Sequence, residues 1–223
     1  MPDSASSLLI GAVGGLIAAA TQHAFRRYAE TEQVRREVVE THLLQLQDGV
    51  ESLYYRMNNI QDWTGKSVMP DAYFELTSAY IFGRVLAHES LLVSKGIYAK
   101  LRGDDVLKRE VKAGLHSINR AMDDRIFLHY HRVLLGQMAL EGDRVLTFTE
   151  FLDRAALPKY AGVVASTATF TQSAAPERLE QLRTLAGSLV TVLAAQTGVP
   201  SAASLARDDP HSPPTPMEST ASA

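Results

Sequence analysis

Seven apolar residues, Val39, Leu43, Leu46, Val50, Leu53, Met57 and Ile60, recur at alternating steps of four and three. That spacing places all seven on one stripe of an α-helix. Such a stripe serves either a short coiled coil or the inside of an antiparallel bundle. Tyr54, Tyr55 and Trp63 widen the apolar face toward the bundle. Gly65, Lys66, Ser67 and Pro70 then break the helix.

The same reading continues along the chain. A second helix is predicted from an Asp71 cap to about Leu101, with apolar residues around nearly its whole circumference, as a central helix requires. A second membrane crossing is the rival reading, but Arg84, His88 and Glu89 near the middle favour a core helix, because each would cost a few kcal/mol in hydrocarbon. Gly103, Asp104 and Asp105 form the next turn and cap, and Leu107, Val111, Leu115, Ile118 and Met122 form a third stripe. Asp123 and Asp124 interrupt it before the apolar stretch Ile126–Leu140; the two carboxylates read as a cap or turn rather than a cation site. Gly142 and Asp143 mark a stop, and Thr149 with Glu150 a new helix start. The Ala, Ser and Thr of residues 161–175 carry no assignable pattern. Pro176 opens a last helix, with Leu179, Leu182, Ala186, Leu189 and Leu193 on one stripe, and Gly198 and Pro200 close it. No strand hairpin and no repeat are expected, so the fold class is all-α.

Between Asp3 and Arg26 lie 22 residues without a charged side chain. A helix of that length reaches ~33 Å, enough for a bilayer core of ~30 Å. No basic segment precedes it, which argues against a cleaved secretory signal. The expectation is an N-terminal transmembrane helix over 4–25, a charged helical stalk over 26–42, a helical bundle over 43–198 and a disordered tail rich in Pro, Ser, Thr and Ala over 199–223. Arg26 and Arg27 follow the span, so the positive-inside rule places the N-terminus outside and the bundle in the cytoplasm of a single-pass cell-membrane protein. Gly11 and Gly15 form a G-x-x-x-G step that would let two spans approach closely. With Leu43, Leu46, Val50 and Leu53 they make a candidate helix–helix interface for a homodimer.

The 223 residues carry 22 Lys and Arg against 25 Asp and Glu, a formal charge of −3. That balance lacks the basic excess of a nucleic-acid-coating protein, so no nucleic-acid partner is expected. With no cysteine, the chain has no disulfide scaffold, zinc finger, iron–sulfur cluster or Cys nucleophile. Phosphate-binding loops, dinucleotide fingerprints and nucleophile elbows are absent from the sequence. None of the seven histidines follows a glutamate at the Glu-x-x-His spacing of di-iron bundles. His129 and His131 would point about 200° apart on a helix and so do not chelate one ion. No cofactor and no metal are therefore expected.

One enzymatic reading remains. Arg125 and His131 have the separation of the Arg and His in small helical ribonucleases of the HEPN group, which they resemble in those two residues and in an all-α context. The resemblance implies a base for the ribose hydroxyl and a cation for the developing phosphorane charge. The same spacing recurs at Arg36 and His42.

A wider pattern consists of Leu53-Tyr54-Tyr55-Arg56-Met57-Asn58-Asn59-Ile60, Tyr73-Phe74 with Tyr80 and Gly83-Arg84, and Phe148-Thr149-Glu150-Phe151. Over about residues 5–155 it resembles a group of uncharacterised bacterial membrane proteins. That resemblance implies an N-terminal span, a stalk and a cytoplasmic helical domain, and no activity. The leading expectation is thus a non-enzymatic protein, anchored in the lipid bilayer, that presents its bundle to an unknown protein partner. The HEPN-like ribonuclease and a soluble structural bundle are the alternatives.

Overall fold

The computed structural model describes residues 4–62, 72–100 and 105–201, with side-chain surroundings for 21–60, 72–98 and 107–201. Trp63, Gly65, Lys66, Ser67, Pro70, Asp71, Leu101, Gly103, Asp104 and residues 202–223, which figure in the sequence reading, lie outside that description.

Helix α1 (Ser4–Val38) runs through one turn of π-helix (Val39–Leu43) into α2 (Leu44–Asp62). Then follow α3 (Tyr73–Ser94), α4 (Ile97–Lys100), α5 (Asp105–Ala121), α6 (His129–Met138), a hairpin of β1 (Leu140–Glu141) and β2 (Arg144–Val145), α7 (Phe148–Ala155), α8 (Ala161–Ser173) and α9 (Pro176–Thr197).

The stripe on α2 is an internal seam. Leu43, Leu46, Val50, Leu53 and Met57 are almost wholly buried, with α9 and α3 of the same chain against α2. The pairing of Leu43, Leu46, Val50 and Leu53 is therefore intramolecular, and no free coiled-coil seam is left on that face. Tyr54 lies over Gly187 of α9, where an added Cβ would stand 3.3 Å from its ring. On the far side of α9, Leu189 covers Gly114 of α5.

Helix α3 is the central element that its all-round apolar pattern demands, packed by α2, α6 and α8 together. Its crossing with α6 is close: a Cβ on Gly136 would meet the Leu86 backbone at 3.2 Å, and one on Gly83 would meet Ala139 at 3.1 Å. Phe82, Phe127 and Phe170 make a buried trio with ring centroids 5.5–6.3 Å apart, tying α3 to α8 and to the loop before α6. Tyr80 and Tyr73 do the same for α7 through Phe148 and Phe151.

Several expectations are corrected. Among the described residues, no helix is long and apolar enough to cross a membrane. Of the expected span, residues 21–25 have described side-chain surroundings, and all five are exposed. The transmembrane helix over 4–25, and with it the single-pass placement in the cell membrane with an outside N-terminus, is not supported.

Gly142 and Asp143 join a short antiparallel hairpin, with Leu140 opposite Val145 and Gly142 at φ +58°, where the sequence reading placed only a stop. The helix after it begins at Phe148, one residue before the expected start at Thr149. Thr147 is its cap: its backbone N–H donates to the Glu150 carboxylate and its hydroxyl oxygen accepts from the Glu150 N–H, a reciprocal capping box. Residues 161–173 form a regular helix whose hydroxyls bond back to their own carbonyls, Thr167 to Val163 and Thr169 to Ala165. Val199–Ser201, read as tail, still belong to the packed structure: Gln47 donates to the Val199 carbonyl and Ser201 is buried.

Candidate functional site

Charged groups inside a helical bundle must be paired, so they mark where the fold spends its polar chemistry. Arg132, on α6, is 4% exposed. It sits in the apolar stretch Ile126–Leu140, and a cation in such company was the one available sequence signal for it. Its Nε donates to Asn119 Oδ1 at 2.8 Å, and its Nη1 to Asp123 Oδ1 at 2.6 Å and to the Phe127 carbonyl at 2.9 Å. Asn119 in turn donates from Nδ2 to Glu89 Oε2 at 2.7 Å. Three helices, α3, α5 and α6, and the loop 122–128 thereby share one polar chain.

Burial raises the Glu89 carboxyl above its ordinary range; the Asn119 hydrogen bond and the nearby His116, Arg132 and His129 oppose that only in part. Burial, then the charge of Glu89, likewise raises the Tyr98 hydroxyl. Asp123 is held low, first by the hydrogen bond from Arg132. A buried arginine directed onto three internal acceptors is a clamp, and its guanidinium is not presented to an outside anion. Asp123 and Asp124 act in the same structure: the Asp123 carbonyl accepts from Arg178, and the Asp124 carboxylate lies 3.8 Å from that guanidinium.

Arg125 and His131 stand at the edge of this cluster. Arg125 is exposed in the loop, and His131 is half-buried in the first turn of α6. His131 Nδ1 lies 3.1 Å from the carbonyl of Ile126, the residue after Arg125, so the two candidate groups share one turn of chain. Ile126, Leu128, Tyr130 and Val133 are exposed around them. Among the described residues, no three His, Asp or Glu side chains come together as a metal-binding set.

The other candidate interface separates into two parts. Leu43, Leu46, Val50 and Leu53 are in the core, as above. Gly11 and Gly15 fall where only the helical backbone of α1 is described. Beyond them α1 stands clear of the bundle: every side chain from Thr21 to Thr31 is exposed, with Phe25 at 74% and Tyr28 at 70%. The helix meets the bundle where Arg35 donates to Gln196 of α9 at 3.0 Å and Val38 becomes buried. No protein family, no curated protein and no solved structure matches this chain.

Proposed function

We propose that the protein is a non-catalytic interaction protein, a helical bundle that holds out the arm α1 to a protein partner. The observation that carries this reading is the exposure of the whole circumference of α1 from Thr21 to Thr31, aromatic side chains included. Helices without tertiary packing are marginal in water, and most of their stability comes from burying one face. A long helix that keeps Phe25 and Tyr28 in solvent has that face still to bury. Inside the bundle, by contrast, Arg132, Asn119 and Glu89 are engaged with one another.

A photo-crosslinking residue placed at Phe25 or Tyr28 in the living cell tests the reading. A discrete protein adduct is expected at both positions and none at Lys112, an exposed bundle residue. Equal labelling at all three, or none, would overturn it.

One contact favours a second reading, a ribonuclease using Arg125 and His131. A carbonyl only accepts, so Nδ1 of His131 donates to Ile126 and Nε2 carries the lone pair of a base. His131→Ala should then abolish RNA cleavage with the helical circular dichroism unchanged. Absence of cleavage by the clean wild-type chain, with or without divalent metal, retires this reading.

A further inference from the structure

His88 lies in the middle of α3, 2% exposed, and its Nε2 has no hydrogen-bond partner. The imidazole faces α2 at Gly49, where an added Cβ would sit 3.7 Å from His88 Cδ2. The charged and titratable groups acting on it are Arg84 from its own helix, His42 from the π-turn and Asp48 from α2. Asp48 is already taken, accepting from Arg84 Nη2 at 2.6 Å with its side chain 67% exposed. The contact between α2 and α3 therefore holds a neutral imidazole beside an arginine, with one carboxylate to serve both. It also adjoins the π-turn, where the i→i+4 ladder is widened and α1 passes into α2.

We propose that His88 is an acid-sensitive latch between α2 and α3: a proton taken from solvent at Nε2 creates an uncompensated buried cation, and α2 lifts from α3 at the π-turn to let water reach it. The unfavourable state is the closed, protonated one. Burial first, then Arg84 and His42, hold the imidazole down at about 4, against 6.5 for a solvated histidine. A base depressed in the closed state binds fewer protons there than in the open state, so closure weakens as pH falls from 6.5 toward 4. Linkage between those two values makes the open fraction rise about twentyfold between pH 7 and pH 5.

The chain has no cysteine, so thiol labelling reads the opening cleanly. Val85→Cys places a buried thiol on α3 beside Gly49, and Leu135→Cys places one on α6, away from α2. Labelling by a disulfide reagent, divided by the rate for free cysteine at the same pH, is expected to rise about twentyfold at Val85→Cys from pH 7 to pH 5. It should change little at Leu135→Cys. Equal acceleration at both sites would mean general unfolding and would overturn the latch. So would acceleration that persists when His88→Gln is added to Val85→Cys, since another group would then carry the proton. The wild-type chain gives a check independent of that variant. The His88 imidazole resonance should titrate near pH 4, and a midpoint at or above 6.5 would sink the proposal.

Discussion

At the scale of single residues, Arg132 ties α6 to α5 and to the loop between them. Truncating it leaves Asn119 Oδ1 and the Phe127 carbonyl without their donor and deprives Asp123 of its ion pair. Arg132→Met is expected to lower the urea-unfolding free energy by about 2–4 kcal/mol. Asp123→Asn should lower it by only about 1 kcal/mol, because that carboxylate lies in water on its outer side. Equal losses would mean that the ion pair, and not the buried acceptors, holds the loop. Glu89 makes a pH-dependent prediction. The folded state retains its proton more tightly than the unfolded chain, so its favourable contribution is complete below the ordinary carboxyl range and is lost as pH rises through the raised value. Glu89→Gln keeps an acceptor for Asn119 and removes the buried charge. It should unfold later than wild type in urea at pH 7 and together with it at pH 4.

At the scale of elements, close helix crossings are the sensitive points. Where α3 and α6 meet, a methyl on Gly136 would press on the Leu86 backbone, which cannot swing aside as a side chain can. Gly136→Ala should therefore cost about 1–3 kcal/mol despite the better helix propensity of alanine. Gly162, in the first turn of α8, has nothing within 4 Å of an added Cβ, and Gly162→Ala should gain about 0.5 kcal/mol. Calorimetric melting of the two variants decides whether backbone approach or propensity governs. The elements that the sequence concealed share a cause. In α8 the inward positions are Val163, Thr167, Phe170 and Thr171, so half of its buried stripe is polar by type and hydrophobic periodicity cannot find it. In α7 the cap lies two residues before Thr149, because Thr147-x-x-Glu150 is a capping box and Thr149 is only the second helical residue.

For the whole molecule, the question is whether bundle and arm are independent. Residues 21–31 contribute no buried side chain, while Arg35 and Val38 are held by the bundle. A chain starting at Glu32 should therefore melt within a degree or two of the full chain. A fall of about ten degrees would show that α1 supports the core and would remove the basis for reading it as a free arm. The phenylalanine trio and the α2–α9 seam make one continuous core across the described helices, to which residues 21–31 add no buried side chain.

The sequence by itself determined the helical class, the stripe on α2, the surrounded character of α3, the stripe on α5 and the helix opened by Pro176. Each of these is a local periodicity, and periodicity follows from helix geometry before any partner is chosen. Tertiary structure alone decided what covers each stripe: that Leu46 and Val50 face α9 and α3 of their own chain, and not a second copy, depends on contacts far apart in sequence. It also decided the polar interior. Glu89, Asn119 and Arg132 belong to three different helices, and His88 is unusual only because Gly49 brings α2 onto its ring. The expected span over 4–25 finds no support, since no helix among the described residues is long and apolar enough to cross a membrane.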